Sequence, residues 1–369
     1  MVIFHLRFDN VYAFKNFEAS FTYPKRLVKT NLDGEYFAEY PNLRYKKLAI
    51  VMGSNATGKT TFGRMIHCLF RFVATQESAP LLRTVNEKEK DAFVSMDFVG
   101  SEKRMNRIEI HIVPASESKK EPEVLVRCYS EPLKPTDSYE TAIARFDSNK
   151  PFGDYREVLK TLATFGWNFN FPMTESGFDR IRCEFPEKDA KDYCALLESV
   201  LKTADPSIAK VMVGNDLPNS FVVQFRDGTR VLVEDHKPLS SLDRFSSGTK
   251  YAVNVASILF AMKRHYNGFY FVDEQFTYLD PDIEVSMLGL MVSSLRDGEQ
   301  LILTSHNREL LEMSYPLHTY YFFTKDANGH IAVVNAADFE KRNNVSVRNM
   351  FDNDVFGTAR DMEGIYRIL

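Results

Sequence analysis

The chain has 369 residues, of which 44% are hydrophobic and 26% are charged, and its formal net charge is −4 with a pI of about 6.1. These values are ordinary for a globular protein with a sizeable core, built as one large domain or two. The negative net charge excludes the class of strongly basic proteins to which many nucleic-acid-binding proteins belong, but it is compatible with a local basic patch.

Targeting signals and cysteine usage favour a soluble, cytoplasmic protein without a membrane partner. The sequence begins MVIFHLRFDN, where charge comes too early for a signal peptide, and the longest apolar stretch, 251–262, is too short to cross a bilayer. The four cysteines form no CxxC pair and no zinc-type spacing: Cys68, Cys128, Cys183 and Cys194. Reduced thiols are therefore expected.

The first strongly marked element is a glycine-containing loop between a strand and a helix. An apolar run at 48–52 predicts a buried strand, and apolar residues at helical spacing over 60–73 predict a helix. The loop fits G-x-x-x-x-G-K-[ST], in which small residues let phosphate oxygens approach backbone N–H groups at a helix start. We predict that it binds a nucleoside triphosphate through Gly53, Ser54, Asn55, Ala56, Thr57, Gly58, Lys59, Thr60 and Thr61.

Two residues at the end of this loop have specific predicted roles. The Lys59 ammonium would neutralise the β- and γ-phosphates, and the Thr60 hydroxyl would be a ligand of Mg²⁺. The expected ligands are thus a nucleoside triphosphate and Mg²⁺.

The middle of the chain predicts a flanking sheet and an inserted lobe. Strand patterns at 92–99, 107–114 and 123–129 indicate an antiparallel sheet beside the nucleotide, whereas helical patterns dominate 154–212. The segment 221–234 is typical of a hairpin with Asp-Gly in its turn. We therefore divide the chain into an N-terminal part of an α/β core (1–150), an inserted helical lobe (151–215) and a C-terminal part of the core (216–369).

A second helix start resembles an anion-binding site. Ser246, Ser247, Gly248 and Thr249 open a long helix; either serine can cap it, and the glycine lets its free amides approach a ligand. A well-capped core helix is the alternative reading. The position of this helix start, shortly before an acidic strand end, favours the ligand-binding one.

Two further strands end in side chains suited to nucleotide chemistry. FYFVDE at 269–274 predicts a buried strand that ends in Asp273, a candidate Mg²⁺ ligand, and Glu274, a candidate general base. LILTSH at 301–306 predicts another strand, at whose end His306 could sense a γ-phosphate. Parallel strands would bring these side chains to the loop at 53–60.

Taken in order, GSNATGKT, FSSGTK, FYFVDE, YLDPD and LILTSH resemble the motifs of an ABC-type ATPase head, of the class shared by SMC proteins, RecF and OLD-family proteins. More narrowly, the chain resembles stand-alone bacterial AAA-domain ATPases of phage-defence loci, related to RloA and AbiL. The resemblance implies an α/β fold with an ABC-type P-loop NTPase core.

The resemblance also implies an assembly, because heads of this class hold ATP between two protomers. Ser246, Ser247 and Gly248 of one copy would then act on the ATP held by the other, and Asp280 would lie near the seam. ATP would hold the copies together in a homodimer or higher homo-oligomer, and hydrolysis would let the copies separate.

One departure concerns the glutamine that follows the first helix in many ABC heads and binds Mg²⁺. This chain has glutamines at 76, 224, 275 and 300, and none is well placed; Gln76 is the nearest candidate.

The expected function is an ATPase switch that controls a separately encoded effector, a nuclease or toxin, in anti-phage defence. After His306 the chain is too short and too poor in clustered acids for an appended Toprim-type nuclease. Two alternatives stay open: a RecF-like DNA-binding ATPase, and an ATP-binding scaffold that hydrolyses slowly. Salt-dependent binding to duplex DNA would favour the first of these.

Overall fold

The fold is described from a computed structural model. It describes residues 1–23, 31–117, 119–159, 166–172, 186–214, 219–234, 237–238, 244–340, 345–359 and 367.

The first half of the chain is mainly β-structure with one long helix. Its elements in chain order are β1 (Val2–Asp9), β2 (Phe17–Ser20), β3 (Tyr36–Phe37), β4 (Tyr40–Arg44), β5 (Leu48–Met52), α1 (Lys59–Thr75), α2 (Ser78–Leu82), β6 (Ala92–Val99), β7 (Arg104–Val113), β8 (Glu123–Pro132), α3 (Tyr139–Ile143), β9 (Gly153–Asp154), α4 (Tyr155–Leu159) and β10 (Trp167–Asn170).

The second half contains three of the four longest helices in the described part of the chain. Its elements are α5 (Ala190–Ala204), β11 (Ile208–Val213), β12 (Ser220–Phe225), β13 (Arg230–Glu234), β14 (Lys237–Pro238), α6 (Ser247–Lys263), β15 (Phe269–Asp273), α7 (Pro281–Ser294), β16 (Gln300–Ser305), β17 (Tyr320–Lys325), β18 (Ile331–Asn335), α8 (Ala336–Phe339) and α9 (Val347–Asp352). Short 3₁₀ turns lie at Glu187–Asp189, Arg308–Glu312 and Leu317–Thr319.

The central sheet has the strand order β10-β15-β16-β5-β17-β18. Its first five strands are parallel and β18 returns antiparallel to β17. Strands β5, β15 and β16 are buried along their whole length, as expected for parallel strands covered on both faces. The parallel order carries the C-terminal ends of β5, β15 and β16 to one edge of the sheet.

The two faces of the central sheet support separate cores. Since side chains alternate along a strand, Ala49 and Val51 face α1 and the antiparallel sheet β2-β1-β6-β7-β8-β9, whereas Leu48 and Ile50 face α5 and α6. A third sheet, β11-β12-β13-β14, packs on the α5 and α6 side. The helix that begins at the glycine-containing loop is thus held between two sheets.

Most elements expected from the pattern are present. The strand at 92–99 and the hairpin at 221–234, with Gly228 at φ 86° in its turn, are confirmed. The stretch 151–215 contains the expected helix α5, but it also contributes β10 to the central sheet, so its described part is not purely helical. The three-part division stays a prediction, and residues 160–165 and 173–185 lie outside the described part.

Two further observations concern the cysteines and the membrane. Cys68, Cys128 and Cys194 are free thiols, and Cys183 lies outside the described residues. Within the described ranges, no helix has both the length and the apolar character of a membrane span.

Candidate functional site

The predicted site residues meet at the C-terminal edge of the central sheet. Asp273 pairs in register with Thr304, and Ser305 pairs with Met52, so β15, β16 and β5 end at the same level. The loop 53–58, the Asp273–Glu274 pair and His306 follow those three strand ends. Strand pairing therefore brings together three motifs that are far apart in sequence.

The loop has the backbone expected of a phosphate cradle. Ala56 and Gly58 adopt left-handed conformations, with φ of 66° and 101°, and Gly58 immediately precedes α1. A Cβ atom on Gly58 would lie 2.3 Å from the Ile331 Cδ1 atom, so a side chain is excluded there by both φ and space. The first turn of α1 carries no acidic residue, which leaves the helix start suited to an anion.

Lys59, Glu274 and His306 form one contact group. The Lys59 Nζ atom donates to the carbonyl oxygens of Gly53 at 3.0 Å and Ser54 at 3.2 Å, and it lies 3.3 Å from Glu274 Oε1. The His306 Nε2 atom lies 2.7 Å from the same Oε1 and 3.2 Å from Lys59 Nζ. The structure thus joins the predicted phosphate-binding lysine, the predicted base and the predicted γ-phosphate sensor.

The position of Glu274 is fixed by its backbone. Its φ is 48°, an uncommon value for a residue with a side chain, and its N–H donates to the Thr304 carbonyl at 3.2 Å. Burial raises the pKa of Glu274, but the hydrogen bond to His306 and the charge of Lys59 lower it by more, so the net pKa lies below its usual value. The carboxylate is therefore ionised near neutral pH and available to accept a proton.

Asp273 fits a divalent-cation ligand. Asp273 is fully buried, and Thr304 Oγ1 donates a hydrogen bond to its Oδ1 atom. Its Oδ2 atom accepts no hydrogen bond from the described residues. Burial raises the pKa of Asp273 to about 6, although the nearby hydroxyls of Thr304 and Thr60 oppose this shift. A buried carboxylate oxygen without a partner beside the Thr60 hydroxyl is an oxygen donor set of the kind that Mg²⁺ prefers.

The segment after His306 is tied to the turn that carries Asp280. The Asn307 side-chain amide donates to the Pro281 carbonyl at 3.1 Å, and Glu284, in the first turn of α7, accepts hydrogen bonds from Ser305 and Asn307. Asp280 is exposed and caps α7 by accepting from the Asp282 N–H at 3.1 Å. The residues on either side of His306 are therefore hydrogen-bonded to the first turn of α7.

The second predicted helix start lies at the surface. The Ser246 hydroxyl caps α6 by accepting from the Thr249 N–H at 3.0 Å, and Ser246 and Ser247 are exposed. A Cβ atom on Gly248 would lie 2.7 Å from the Tyr278 carbonyl oxygen, so this tip packs closely on the turn that leads to Asp280. The hydrogen bonds described for Ser246 stay within its own helix, and its action on a nucleotide held by another copy stays a prediction.

Two amide side chains lie near the acidic strand end, and neither is among the predicted site residues. Asn170 ends β10, the strand that pairs with β15, and Gln275 is buried with its side-chain amide donating to the Asp273 carbonyl at 3.0 Å. Gln76 instead caps the C-terminal end of α1, about 25 Å from the loop by the rise of a 17-residue helix. Only the pairing of β10 with β15, which no local pattern encodes, reveals Asn170.

Comparison with known proteins found a matching family. The sequence model of the family described as "AAA domain, putative AbiEii toxin, Type IV TA system" matches residues 125–312, just over half of the chain. That range includes Ser247, Asp273 and His306 but not the loop at 53–61. A search of the curated proteins found no match.

Solved SMC head domains have the same fold. The SMC head bound to the C-winged helix domain of ScpA superposes with a TM-score of 0.53 at 12% identity, over 93% of this chain and 100% of that chain. The Smc head with an extended coiled coil, bound to the C-terminal domain of ScpA derived from Pyrococcus furiosus, superposes with a TM-score of 0.52 at 11% sequence identity. The superposition covers 92% of this chain and 98% of that chain. The predicted fold, an ABC-type P-loop ATPase head, is confirmed.

Proposed function

The chain belongs to the family described as AAA domain, putative AbiEii toxin, Type IV TA system, and we propose that it is an ATPase that uses hydrolysis as a conformational switch. The observation that carries this proposal is the contact group of Lys59, Glu274 and His306 beside a loop built for phosphates. A carboxylate beside the predicted phosphate site is suited to accept a proton from a water that attacks the phosphate.

The chemistry follows from the two carboxylates at the end of β15. The γ-phosphate is a stronger partner for Lys59 than Glu274 is, because it carries more charge, so ATP binding would separate the pair. Glu274 would then accept a proton from a water whose oxygen bonds to the γ-phosphorus as the bond to the ADP oxygen breaks. Asp273 and Thr60 would hold Mg²⁺, which supplies positive charge at the phosphate oxygens.

The second half of the site would come from another copy of the chain. Ser246 and Ser247 are exposed at the tip of α6, and Gly248 leaves that tip narrow. A helix start of this kind suits an anion, and in our proposal it contacts the γ-phosphate on the loop of a partner subunit. ATP would then hold two copies together, and hydrolysis would release them.

The biological role we propose is control of a separately encoded effector, a nuclease or toxin, in anti-phage defence in the cytoplasm. The family description, which names a putative toxin of a type IV toxin–antitoxin system, supports this setting. Co-expression of the chain with the product of the adjacent gene, followed by co-purification with and without ATP, tests it.

The activity itself is tested by phosphate release from ATP and Mg²⁺ by the full chain, with Lys59→Ala as the inactive control. We expect turnover that needs Mg²⁺ and is lost in the control. Turnover that is unchanged in Lys59→Ala would overturn the proposal. Tight, salt-sensitive binding of duplex DNA with stimulated turnover would instead favour a RecF-like role.

A further inference from the structure

A cleft of about 770 Å³ opens beside the loop on the side of His306. One wall is formed by Gly53–Asn55, His306 and Arg308, and the other by residues of the C-terminal segment, defined here as 345–359. Because His306 contacts both Lys59 and Glu274, a γ-phosphate bound by Lys59 would lie at the mouth of this cleft.

Arg308 reaches from one wall of the cleft to the other. Its guanidinium carbon lies 5.3 Å from the ring centre of Phe351, and its Nη1 atom lies 3.8 Å from Asp352 Oδ1. The Arg308 side chain is 60% exposed, so this long ion pair contributes little to stability and can be exchanged for another partner.

Asp352 does not depend on Arg308 for charge compensation. Its Oδ2 atom accepts from Arg348 Nε at 2.9 Å, within the same helix α9. The C-terminal segment is also fixed by Phe356, which stacks on Phe322 with ring centres 3.9 Å apart. Release of Arg308 would therefore leave both Asp352 and the segment in place.

The charge balance of the cleft points to a role for Arg308. Among the described residues that line it, Arg308 is the one Lys or Arg side chain, facing the carboxylates of Asp352 and Asp354. Lys59 does not line this cleft, so Arg308 is the described lining cation that can offset the repulsion between a γ-phosphate and these carboxylates. A guanidinium, with its fork of N–H donors, pairs more strongly with a phosphate than with a carboxylate that another arginine already neutralises.

We propose that Arg308 is a γ-phosphate ligand: when ATP is bound, its guanidinium leaves Asp352 and donates to the γ-phosphate. Arg308 thereby distinguishes ATP from ADP from outside the loop 53–61. The inference rests on the proposed function, since it requires ATP in that loop.

The test compares ATP and ADP affinities of the full chain in the presence of Mg²⁺. Glu274→Gln serves as the parent because it prevents turnover, and Arg308→Ala, Arg308→Lys and the control Arg348→Ala are made in it. Loss of one charge-assisted hydrogen bond should weaken ATP binding by about tenfold or more in Arg308→Ala while ADP binding changes less than about twofold. Arg308→Lys, which keeps the charge, should lose less.

The control separates phosphate binding from docking of the C-terminal segment. Arg348→Ala removes the contacts to Asp352 and Glu312 and the hydrogen bond to the Arg308 carbonyl, but it leaves the Arg308 guanidinium in place, so it should change the ratio of ATP to ADP affinity less than Arg308→Ala does. The inference is overturned if Arg308→Ala and Arg308→Lys leave that ratio at the parent value, or if Arg348→Ala changes it equally. A parent that binds neither nucleotide overturns the proposed function as well.

Discussion

The Lys59 Nζ atom lies 3.3 Å from Glu274 Oε1, and the two side chains are only 3% and 23% exposed. The two charges therefore neutralise each other at a largely buried position. In the proposed function ATP would compete for Lys59, so the event that fills the site would also free Glu274 to act as the base. This exchange of partners would link catalysis to the presence of the γ-phosphate.

Glu274→Gln should separate binding from chemistry. An amide cannot accept the proton, so we expect turnover to fall by about 10²- to 10⁴-fold. ATP binding should persist or tighten, because a neutral side chain competes less for Lys59. Phosphate release and nucleotide binding measure the two effects, with the exposed Glu309→Gln as control. Turnover within tenfold of the parent would show that Glu274 is not the base.

Asp273 should make the Mg²⁺ dependence sensitive to pH. Its pKa of about 6 means that protons compete with Mg²⁺ as pH falls through 6, so the Mg²⁺ concentration for half-maximal turnover should rise below that value. The measurement is a Mg²⁺ titration at pH 5.5, 6.5 and 7.5. A half-maximal concentration that is constant over this range would contradict the assignment.

The same carboxyl should reduce stability at high pH. Because the pKa of Asp273 is higher in the folded state than in the unfolded state, the ionised carboxylate destabilises the folded protein at high pH. This destabilisation disappears as the carboxyl becomes protonated when the pH falls through 6. Asp273→Asn should therefore raise the free energy of unfolding at pH 8, without nucleotide, by about 1–3 kcal/mol, and have little effect at pH 4. Urea unfolding at both pH values tests the sign; destabilisation at pH 8 would refute it.

Gly248→Ala should damage association but not binding of ATP to the loop. The added Cβ atom would lie 2.7 Å from the Tyr278 carbonyl oxygen, so the tip of α6 must shift. We expect ATP-dependent association, measured by sedimentation in a Glu274→Gln background, to weaken by about tenfold or more, or 1.4 kcal/mol. Gly289→Ala is the control, since its Cβ would meet nothing within 4 Å; equal effects of both changes would contradict the account.

Gln300 should be important for stability, because it joins the two large sheets. Its Oε1 accepts from the Ile3 N–H at 2.9 Å, and its amide donates to the carbonyls of Ile3 at 3.1 Å and Lys46 at 2.9 Å. Gln300→Leu leaves these buried backbone groups without partners and should cost about 2–5 kcal/mol. A change below 1 kcal/mol in urea unfolding would contradict this role.

The local elements of the site were predictable because each has a strong pattern. Two buried apolar runs mark the strands at 48–52 and 269–273. Each run is followed by residues typical of nucleotide binding: the loop that ends at Thr60, and the carboxylate of Asp273. The meeting of Glu274 and His306 followed from the rule that parallel strands end at one edge.

What could not be predicted depends on pairing between distant segments. The strand β10 lies in a stretch with helical patterns, and only its parallel contact with β15 makes it part of the central sheet. Arg308 looks like an ordinary charged residue at the start of a 3₁₀ turn until the C-terminal segment is placed across from it. Neither contact leaves a periodic signal in the sequence.

The central claim is that two copies of the chain build each site, and complementation between two inactive variants tests it most directly. Lys59→Ala removes the loop lysine and Ser247→Arg blocks the tip of α6, so each variant alone should be inactive. In an equal mixture, random pairing gives about half heterodimers with one intact site, hence about a quarter of the parent turnover. A mixture as inactive as its components, or a Ser247→Arg variant that is fully active alone, would contradict the shared site.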